Sequence, residues 1–171
     1  MGRVGSRVGR KAATRFPELW RLSFGVLSPY LRRMSDPDTR LEDLVDDFAF
    51  LDDWEDRYMH VIDLGKSLAP LTDAERVPAN KVEGCASQVW IVTEPKDGQL
   101  HFRGDSDAHI VKGLIAVVHT ALSGRTPRDL LGVDIEELMS RIGLSEHLSS
   151  QRANGLRSMV ARLRAEAQAL A

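Results

Sequence analysis

The sequence predicts an α+β fold in which helices flank a small antiparallel β-sheet. Apolar residues recur at helical spacing before residue 70 and again after residue 108, and two short β-rich segments lie between these regions. An Asp-Gly pair, which is typical of a tight hairpin turn, separates the two β-rich segments. Strands and helices do not alternate along the chain, so a parallel sheet is not expected.

The part of the chain before the sheet is predicted to be helical. Apolar residues recur every three or four positions over residues 41–48 and again over residues 54–62, which is the spacing of one helix face. The pattern predicts two short helices within about residues 41–68, or one helix that is interrupted near Asp52 and Asp53. Pro70 and Pro78 then indicate a loop.

The two β-rich segments are predicted to form a hairpin. Residues 89–92 are too few and too β-rich for a helix, so they are expected to form a buried strand. Asp97-Gly98 provides the turn. In the segment that follows, Leu100 and Phe102 face one way and the polar residues between them face the other, so one face of the hairpin should be solvated.

Four helices are predicted after the hairpin. The first, over residues 110–122, is apolar around most of its circumference and is expected to be the central core helix. Thr126-Pro127 has the pattern of a helix start. A short helix over residues 135–142 ends at Gly143, and the last helix begins at about Ser150.

The charges are distributed unevenly along the chain. Residues 1–40 hold nine Lys or Arg against three Asp or Glu, whereas residues 41–171 hold fourteen against twenty-two. We therefore predict a basic, poorly ordered leader at 1–40 and a single domain at 41–171. No basic stripe continues into the predicted domain, which disfavours nucleic-acid binding. No apolar run approaches the roughly 20 residues that span a bilayer, so no membrane association is expected.

The leader allows two interpretations. Its composition, rich in Arg and Gly, resembles that of an organellar transit peptide. Alternatively, translation begins upstream of the natural start, and Met34 is the first residue of the acidic protein. We expect a cytoplasmic location, because a lone thiol survives best in a reducing compartment, and an organellar one if the transit peptide is genuine.

The chain has a single cysteine, Cys85. One cysteine excludes an internal disulfide and a multi-cysteine metal site within the chain. Gly84 permits a tight turn that would present the thiol at a loop tip, where free backbone N–H groups or a nearby cation would lower its pKa. The alternative is a small buried hydrophobic residue, and spacing alone does not decide between the two. The five histidines are scattered, so no metal site is predicted.

Three segments resemble the signature of the SufE family of sulfur acceptors, in the order and spacing of that family. They are Gly84-Cys85-x-Ser87-x-Val89-Trp90, Gly104-Asp105-Ser106-Asp107-Ala108 with the apolar helix that follows, and Leu148-Ser149-x-x-Arg152-x-x-Gly155-Leu156. Trp54 and Tyr58 extend the match upstream. The resemblance covers residues 41 to about 170 and leaves out the leader.

This resemblance implies a fold similar to that of the small iron–sulfur scaffold proteins. It also implies that Cys85 accepts persulfide sulfur from a cysteine desulfurase, stimulates that enzyme and relays the sulfur to an iron–sulfur scaffold complex. The family thiol lies in a loop and is partly sheltered until the desulfurase docks. The protein would then be an accessory carrier rather than an enzyme. It would bind no cofactor or metal itself, because the pyridoxal phosphate belongs to the desulfurase.

Five further residues are candidates for supporting roles. Arg152 either stabilises the thiolate or persulfide or forms a salt bridge at the start of the last helix. Asp105 and Asp107 either N-cap the core helix or contact the partner. Glu83 and Gln88 flank the thiol and either orient its loop or are simply polar surface residues. Glu83 is also a candidate for contact with the partner.

Other functions remain open from the sequence. The protein could serve another desulfurase and another acceptor, such as a thionucleoside pathway. It could also be a non-covalent allosteric partner of a desulfurase, with Cys85 incidental. A Cys–His hydrolase is disfavoured, because no nucleophile-elbow pattern surrounds the thiol.

Overall fold

The computed structural model describes residues 36–171. The predicted leader lies outside the described residues as far as position 35, and so do the residues on which its two interpretations depend. The remaining chain forms helices around one antiparallel hairpin, which confirms the predicted α+β fold. The elements in order are α1 (Pro37–Ala49), α2 (Trp54–Lys66), a 3-10 turn (Pro78–Asn80), β1 (Val89–Lys96), β2 (Gln99–Ser106), α3 (His109–Leu122), α4 (Pro127–Gly132), α5 (Ile135–Arg141) and α6 (Ser150–Leu170). Within residues 36–171, no helix is both long and apolar enough to span a bilayer.

The first two helices both begin at a capping aspartate. In α1, Asp36 accepts a hydrogen bond from the backbone N–H of Thr39, and Pro37 occupies the first turn. The helix therefore begins four residues before the predicted start, and residues 37–40, which the sequence assigned to the poorly ordered leader, belong to this helix. In α2, the cap is Asp53. The break predicted near residues 52 and 53 is confirmed, because α1 ends at Ala49 and α2 begins at Trp54 as a separate helix.

The hairpin pairs over the full length of both strands. Asp97 and Gly98 both have positive φ, at 53° and 77°, as a two-residue turn that matches the strand twist requires. β1 continues to Lys96, four residues beyond its predicted end, because this tight turn keeps the strands paired up to the tip. Leu100 and Phe102 are buried, which confirms the predicted alternation.

Helix α3 is the core helix, as predicted, and its start differs from the prediction. It begins at His109 after Ala108, and no side chain within residues 36–171 caps it. The prediction that Asp105 or Asp107 N-caps this helix is therefore wrong. Both carboxylates bond to other parts of the chain: Asp105 points into the protein, and Asp107 turns back towards the loop before β1.

Helices α2 and α3 cross at two glycines. A Cβ atom on Gly65 would lie 2.7 Å from the backbone nitrogen of Gly113. A Cβ atom on Gly113 would lie 2.6 Å from Cγ1 of Val61 and closer still to the carbonyl oxygen of Val61. The backbones of the two helices thus touch, and this contact leaves no room for any side chain at either glycine.

The last three helices begin and end close to the predicted positions. Thr126 caps α4, with a proline in its first turn, and Gly143 follows α5 with a φ of 69°. Ser149 caps α6. Helix α6 packs against α4 and α3, which brings its first two turns beside the loop that carries the cysteine.

Candidate functional site

Cys85 lies in a loop that joins the 3-10 turn to β1. Its neighbour Gly84 has a φ of 83°, in the left-handed region that favours glycine. A Cβ atom on Gly84 would also lie 2.8 Å from Oγ of Ser158 on α6. The turn that the sequence predicts at Gly84 is therefore required by backbone conformation and by the proximity of α6.

The loop is held at its two ends. At its start, the N–H of Val82 donates to the carbonyl of Val89 at 2.9 Å. At its end, the backbone N–H of Gln88 donates to Oδ1 of Asp107 at 2.9 Å, and the hydroxyl of Ser106 donates to the carbonyl of Gln88 at 2.8 Å. Gln88 thus orients the loop through its backbone, and Asp107 is the side chain that holds it.

Within the described part of the chain, the thiol makes the one hydrogen bond that holds the middle of the loop. Among the described residues, those at 83–87 make no hydrogen bond other than the contact from Sγ of Cys85 to the carbonyl oxygen of Gly155, at 3.6 Å. A thiol is a weak donor. A segment with so few bonds opens at low free energy, so the thiol can leave its position without disturbing the anchored ends.

Gly155, on the second turn of α6, provides the space for the thiol. A Cβ atom on Gly155 would lie 3.3 Å from Sγ of Cys85 and 3.8 Å from its Cβ. The half-buried thiol therefore packs directly on the helix backbone. Gly155 belongs to the third segment of the family resemblance, and no role was predicted for it. The signal in the sequence was a glycine inside an otherwise regular helix.

The thiol opens onto a cavity of about 220 Å³. The walls are mostly apolar and come from α3, α6 and the loop itself. The lining residues are Cys85, Ala86, Ser87, Ala108, Ile110, Val111, Leu114, Ser149, Gln151, Arg152, Gly155, Leu156 and Met159. Arg152 is the only charged residue among them, so a single cation shares an apolar cavity with the thiol.

The surroundings raise the pKa of Cys85 above its ordinary value of 9.0. The larger cause is burial, which penalises the thiolate, and the smaller cause is the negative charge of the exposed Glu83. The sequence predicted that loop N–H groups or a nearby cation would lower this pKa, but the structure raises it instead. The thiol of the free protein is therefore protonated at neutral pH.

Arg152 is half-buried at the start of α6, as the sequence places it. None of the described carboxylates lies within ion-pair distance of its guanidinium, so the salt bridge offered as its alternative role is not found. Its guanidinium carbon instead lies 5.9 Å from the ring centroid of Tyr58, a distance at which cation–π attraction acts. Tyr58 is the second residue whose role sequence analysis missed.

Asp105 lies in a different environment from the thiol loop. Its side chain is 4% exposed and pairs with Arg76 at 2.7 Å and with Lys112 at 3.0 Å. The backbone N–H of Leu71 also donates to it, at 3.3 Å. This burial is incompatible with the partner-contact role offered for Asp105. Asp107 and Glu83 are exposed beside the thiol loop, so a partner could reach them.

Two opposing effects set the pKa of Asp105. Burial is the larger single effect and would raise it, but the hydrogen bonds from Arg76 and Lys112 together outweigh burial and lower it. The carboxylate is therefore ionised and joins β2, α3 and the loop around residue 71. The signal in the sequence was Lys112, a lone cation in the apolar core helix.

Among residues 36–171, no three His, Cys, Asp or Glu side chains are arranged to hold a metal ion. The described part of the chain is thus a small α+β protein whose candidate reactive group is one half-buried thiol in a loop. A family model described as SufE, an Fe-S metabolism associated domain, matches residues 42–167. The chain belongs to the SufE family.

Individual proteins show the same relationship. An uncharacterized SufE-like protein of Rhizobium etli is 55% identical over 132 residues, which cover 75% of this chain and 89% of that protein. A second one, from Rhizobium meliloti, is 52% identical over 134 residues, 76% of this chain and 96% of that protein. The solution structure of a hypothetical protein from Thermus thermophilus has a TM-score of 0.64 at 20% identity, over 77% of this chain and 95% of that one. That structure shares the fold.

Proposed function

We propose that this protein accepts persulfide sulfur on Cys85 from a cysteine desulfurase, stimulates that enzyme and relays the sulfur to a scaffold complex for iron–sulfur cluster assembly. Family membership supports a role in Fe–S metabolism. The more specific role rests chiefly on one observation. The only cysteine occupies a weakly held loop, and its thiol packs into a cavity that one arginine lines.

The proposed transfer is a thiol exchange reaction. The thiolate of Cys85 attacks the outer sulfur of the persulfide on the desulfurase. A new S–S bond forms at Sγ of Cys85, the S–S bond on the desulfurase breaks, and the cysteine of that enzyme leaves as a thiolate. The reaction needs no metal or cofactor on this chain, because the pyridoxal phosphate acts in the desulfurase. The protein is thus an accessory carrier.

The structure suggests how the thiol is protected and then used. In the free protein Cys85 is protonated and half-buried, so it reacts slowly with solutes. A docking desulfurase can displace residues 83–87, because the thiol contact with Gly155 is their only hydrogen bond to the described residues. Once the thiol leaves the apolar contact, the burial effect that raises its pKa is lost and the thiolate forms more readily.

A non-covalent role is the second candidate. Glu83 and Asp107 are exposed beside the loop, so a partner can reach them whether or not sulfur is transferred. In that case the protein would bind the desulfurase through this surface and change its activity, with Cys85 as a packing residue. A carrier that serves a different acceptor would use the same site chemistry. A lone thiol survives best in a reducing compartment, and we place the protein in the cytoplasm on that basis.

Intact-protein mass spectrometry separates a covalent sulfur carrier from a non-covalent allosteric partner. The protein is incubated with pyridoxal phosphate, free cysteine and a cysteine desulfurase whose turnover it stimulates. We expect a mass gain of one sulfur atom that a reductant reverses, and no gain for Cys85→Ser. Stimulation without any mass gain would contradict the carrier role and support the allosteric one.

Alkylation kinetics test the shelter of the thiol. A bulky maleimide should label Cys85 slowly in the free protein and faster when an inactive desulfurase is bound, because docking exposes the thiol. Cys85→Ser controls for labelling at other residues. Equal labelling rates with and without the desulfurase would contradict the displaced-loop step.

A further inference from the structure

Among the described residues, an aromatic ring and not a carboxylate supports the guanidinium of Arg152. Its Cζ lies 5.9 Å from the ring centroid of Tyr58. All of the ion pairs among the described residues involve other cations. Arg152 also lines the cavity of Cys85 and is the one charged side chain among its described lining residues, so the ring of Tyr58 supports the charge of that cavity.

Tyr58 is itself fixed within an aromatic stack. Its ring centroid lies 5.4 Å from that of Trp54 on the same helix, α2. Trp54 in turn stacks on His147, with ring centroids 4.3 Å apart and an interplanar angle of 20°. The ring under Arg152 therefore has a defined position, set by packing between α2 and the segment that precedes α6.

The type of support matters for the chemistry. A carboxylate would occupy the N–H donors of the guanidinium and cancel its charge. An aromatic face attracts the cation without using those donors. Arg152 thus keeps both its charge and its hydrogen-bond donors available at the wall of the cavity.

We propose that Tyr58 positions Arg152 to bind the anionic sulfur formed on Cys85. This inference rests on the proposed carrier function and adds a residue to it. The outer sulfur of a persulfide extends about 2 Å beyond Sγ, and the cavity that Arg152 lines provides the space for it. Tyr58 is a positioning residue, because it acts on the sulfur only through Arg152.

Single-turnover transfer from a persulfide-loaded desulfurase tests this role at saturating partner concentration. Tyr58→Leu removes the aromatic face, and we expect transfer to slow about two- to fivefold, in line with the strength of exposed cation–π contacts. Tyr58→Phe keeps the face and should transfer at the wild-type rate. If Tyr58→Leu lowers the melting temperature, Tyr58→Met provides a second aliphatic variant of different shape.

A double-mutant cycle with Arg152→Gln distinguishes positioning from a general packing role. In the Arg152→Gln background, Tyr58→Leu should slow transfer no further. Equal slowing in both backgrounds, or no slowing by Arg152→Gln alone, would overturn the inference. Failure of the carrier function itself gives a different result, because the wild-type protein would then take up no sulfur.

Discussion

Two glycine contacts in this protein look alike and have opposite consequences. Gly113 lies where α2 and α3 cross, and the atoms that face its missing side chain are those of Val61, including the backbone carbonyl. Gly155 lies beside the thiol loop, and the nearest atom to its missing side chain is Sγ of Cys85. Backbone in a packed helix cannot give way, whereas a thiol on a weakly held loop can. Gly113 therefore stabilises the fold, whereas Gly155 provides space for a thiol that can move away.

The charged groups of the two regions differ in the same way. Asp105 is buried and bonds to two cations and to a backbone N–H. Asp107 is exposed and holds the end of the thiol loop by one side-chain bond to Gln88. Within residues 36–171, a densely bonded framework thus surrounds a loop that is held mainly at its ends, and substitutions should affect stability in the first region and thiol reactivity in the second.

The largest effect is expected from Gly113→Ala. The added methyl group would overlap the backbone of α2, and we expect a loss of about 3 kcal/mol in the free energy of unfolding, measured by urea denaturation. Gly132→Ala is the matched control, because none of the atoms of residues 36–171 beyond its chain neighbours and its own helix backbone lies within 4 Å of its missing side chain. Similar stability of the two variants would show that the helix crossing can adjust and would remove the contrast with Gly155.

Asp105→Asn tests the buried charge of the framework. The substitution removes the negative charge that both Arg76 and Lys112 bind and leaves them one neutral oxygen. We therefore expect a loss of about 2 kcal/mol in the free energy of unfolding. Asp107→Asn keeps an oxygen that can accept the N–H of Gln88, so its effect on stability should stay below about 1 kcal/mol. Equal losses in the two variants would contradict the division into framework and loop.

The same carboxylate should make stability depend on pH. The pKa of Asp105 is lower in the folded protein than its ordinary value of 3.8, so its contribution to stability is complete above about pH 4. It is lost as the pH falls through the folded pKa, because the unfolded chain then binds the proton more readily. Urea midpoints measured between pH 6 and pH 3 should fall less steeply for Asp105→Asn than for the wild type.

Gly155→Ala should change reactivity more than stability. The better helix propensity of alanine, worth about 1 kcal/mol, offsets the small displacement of the thiol. The displaced thiol loses its contact with the carbonyl of Gly155 and becomes more hydrated, so we expect its alkylation to accelerate about three- to tenfold. Slower alkylation, or a loss of stability as large as that of Gly113→Ala, would contradict this prediction and show that Gly155 stabilises the fold as Gly113 does.

The smallest effect is expected from Glu83→Gln. Removing this exposed negative charge lowers the pKa of Cys85 slightly, since Glu83 is the lesser cause of its elevation. Alkylation near pH 8 should accelerate about twofold at low ionic strength, and the difference should shrink at about 1 M salt because exposed charges are screened. A difference that persists at high salt would indicate a change in loop position instead of a charge effect.

The α+β class, the hairpin and the start of α4 followed from the sequence, because each depends on contacts between residues close in the chain. Asp97-Gly98 specifies the tight turn, and Thr126-Pro127 specifies a helix start, whatever surrounds them. Gly84 indicated a tight turn before Cys85, but spacing alone left open whether the thiol is presented in a loop or is a small buried hydrophobic residue. Family resemblance added the role proposed for the thiol, which local patterns could not supply.

Tertiary structure decided the environment of each site residue. The N-cap prediction for Asp105 failed because the side chain pairs with Arg76, 29 residues away, and no local pattern shows that partner. Gly155 is 70 residues from Cys85, yet its backbone shelters the thiol, and Tyr58 holds Arg152 from another helix. Burial raises the pKa of the thiol, with a smaller effect from the neighbouring Glu83, and a cation–π contact with Tyr58 on α2 supports the arginine. Both depend on how the elements pack, whereas the sequence encodes most directly which elements form.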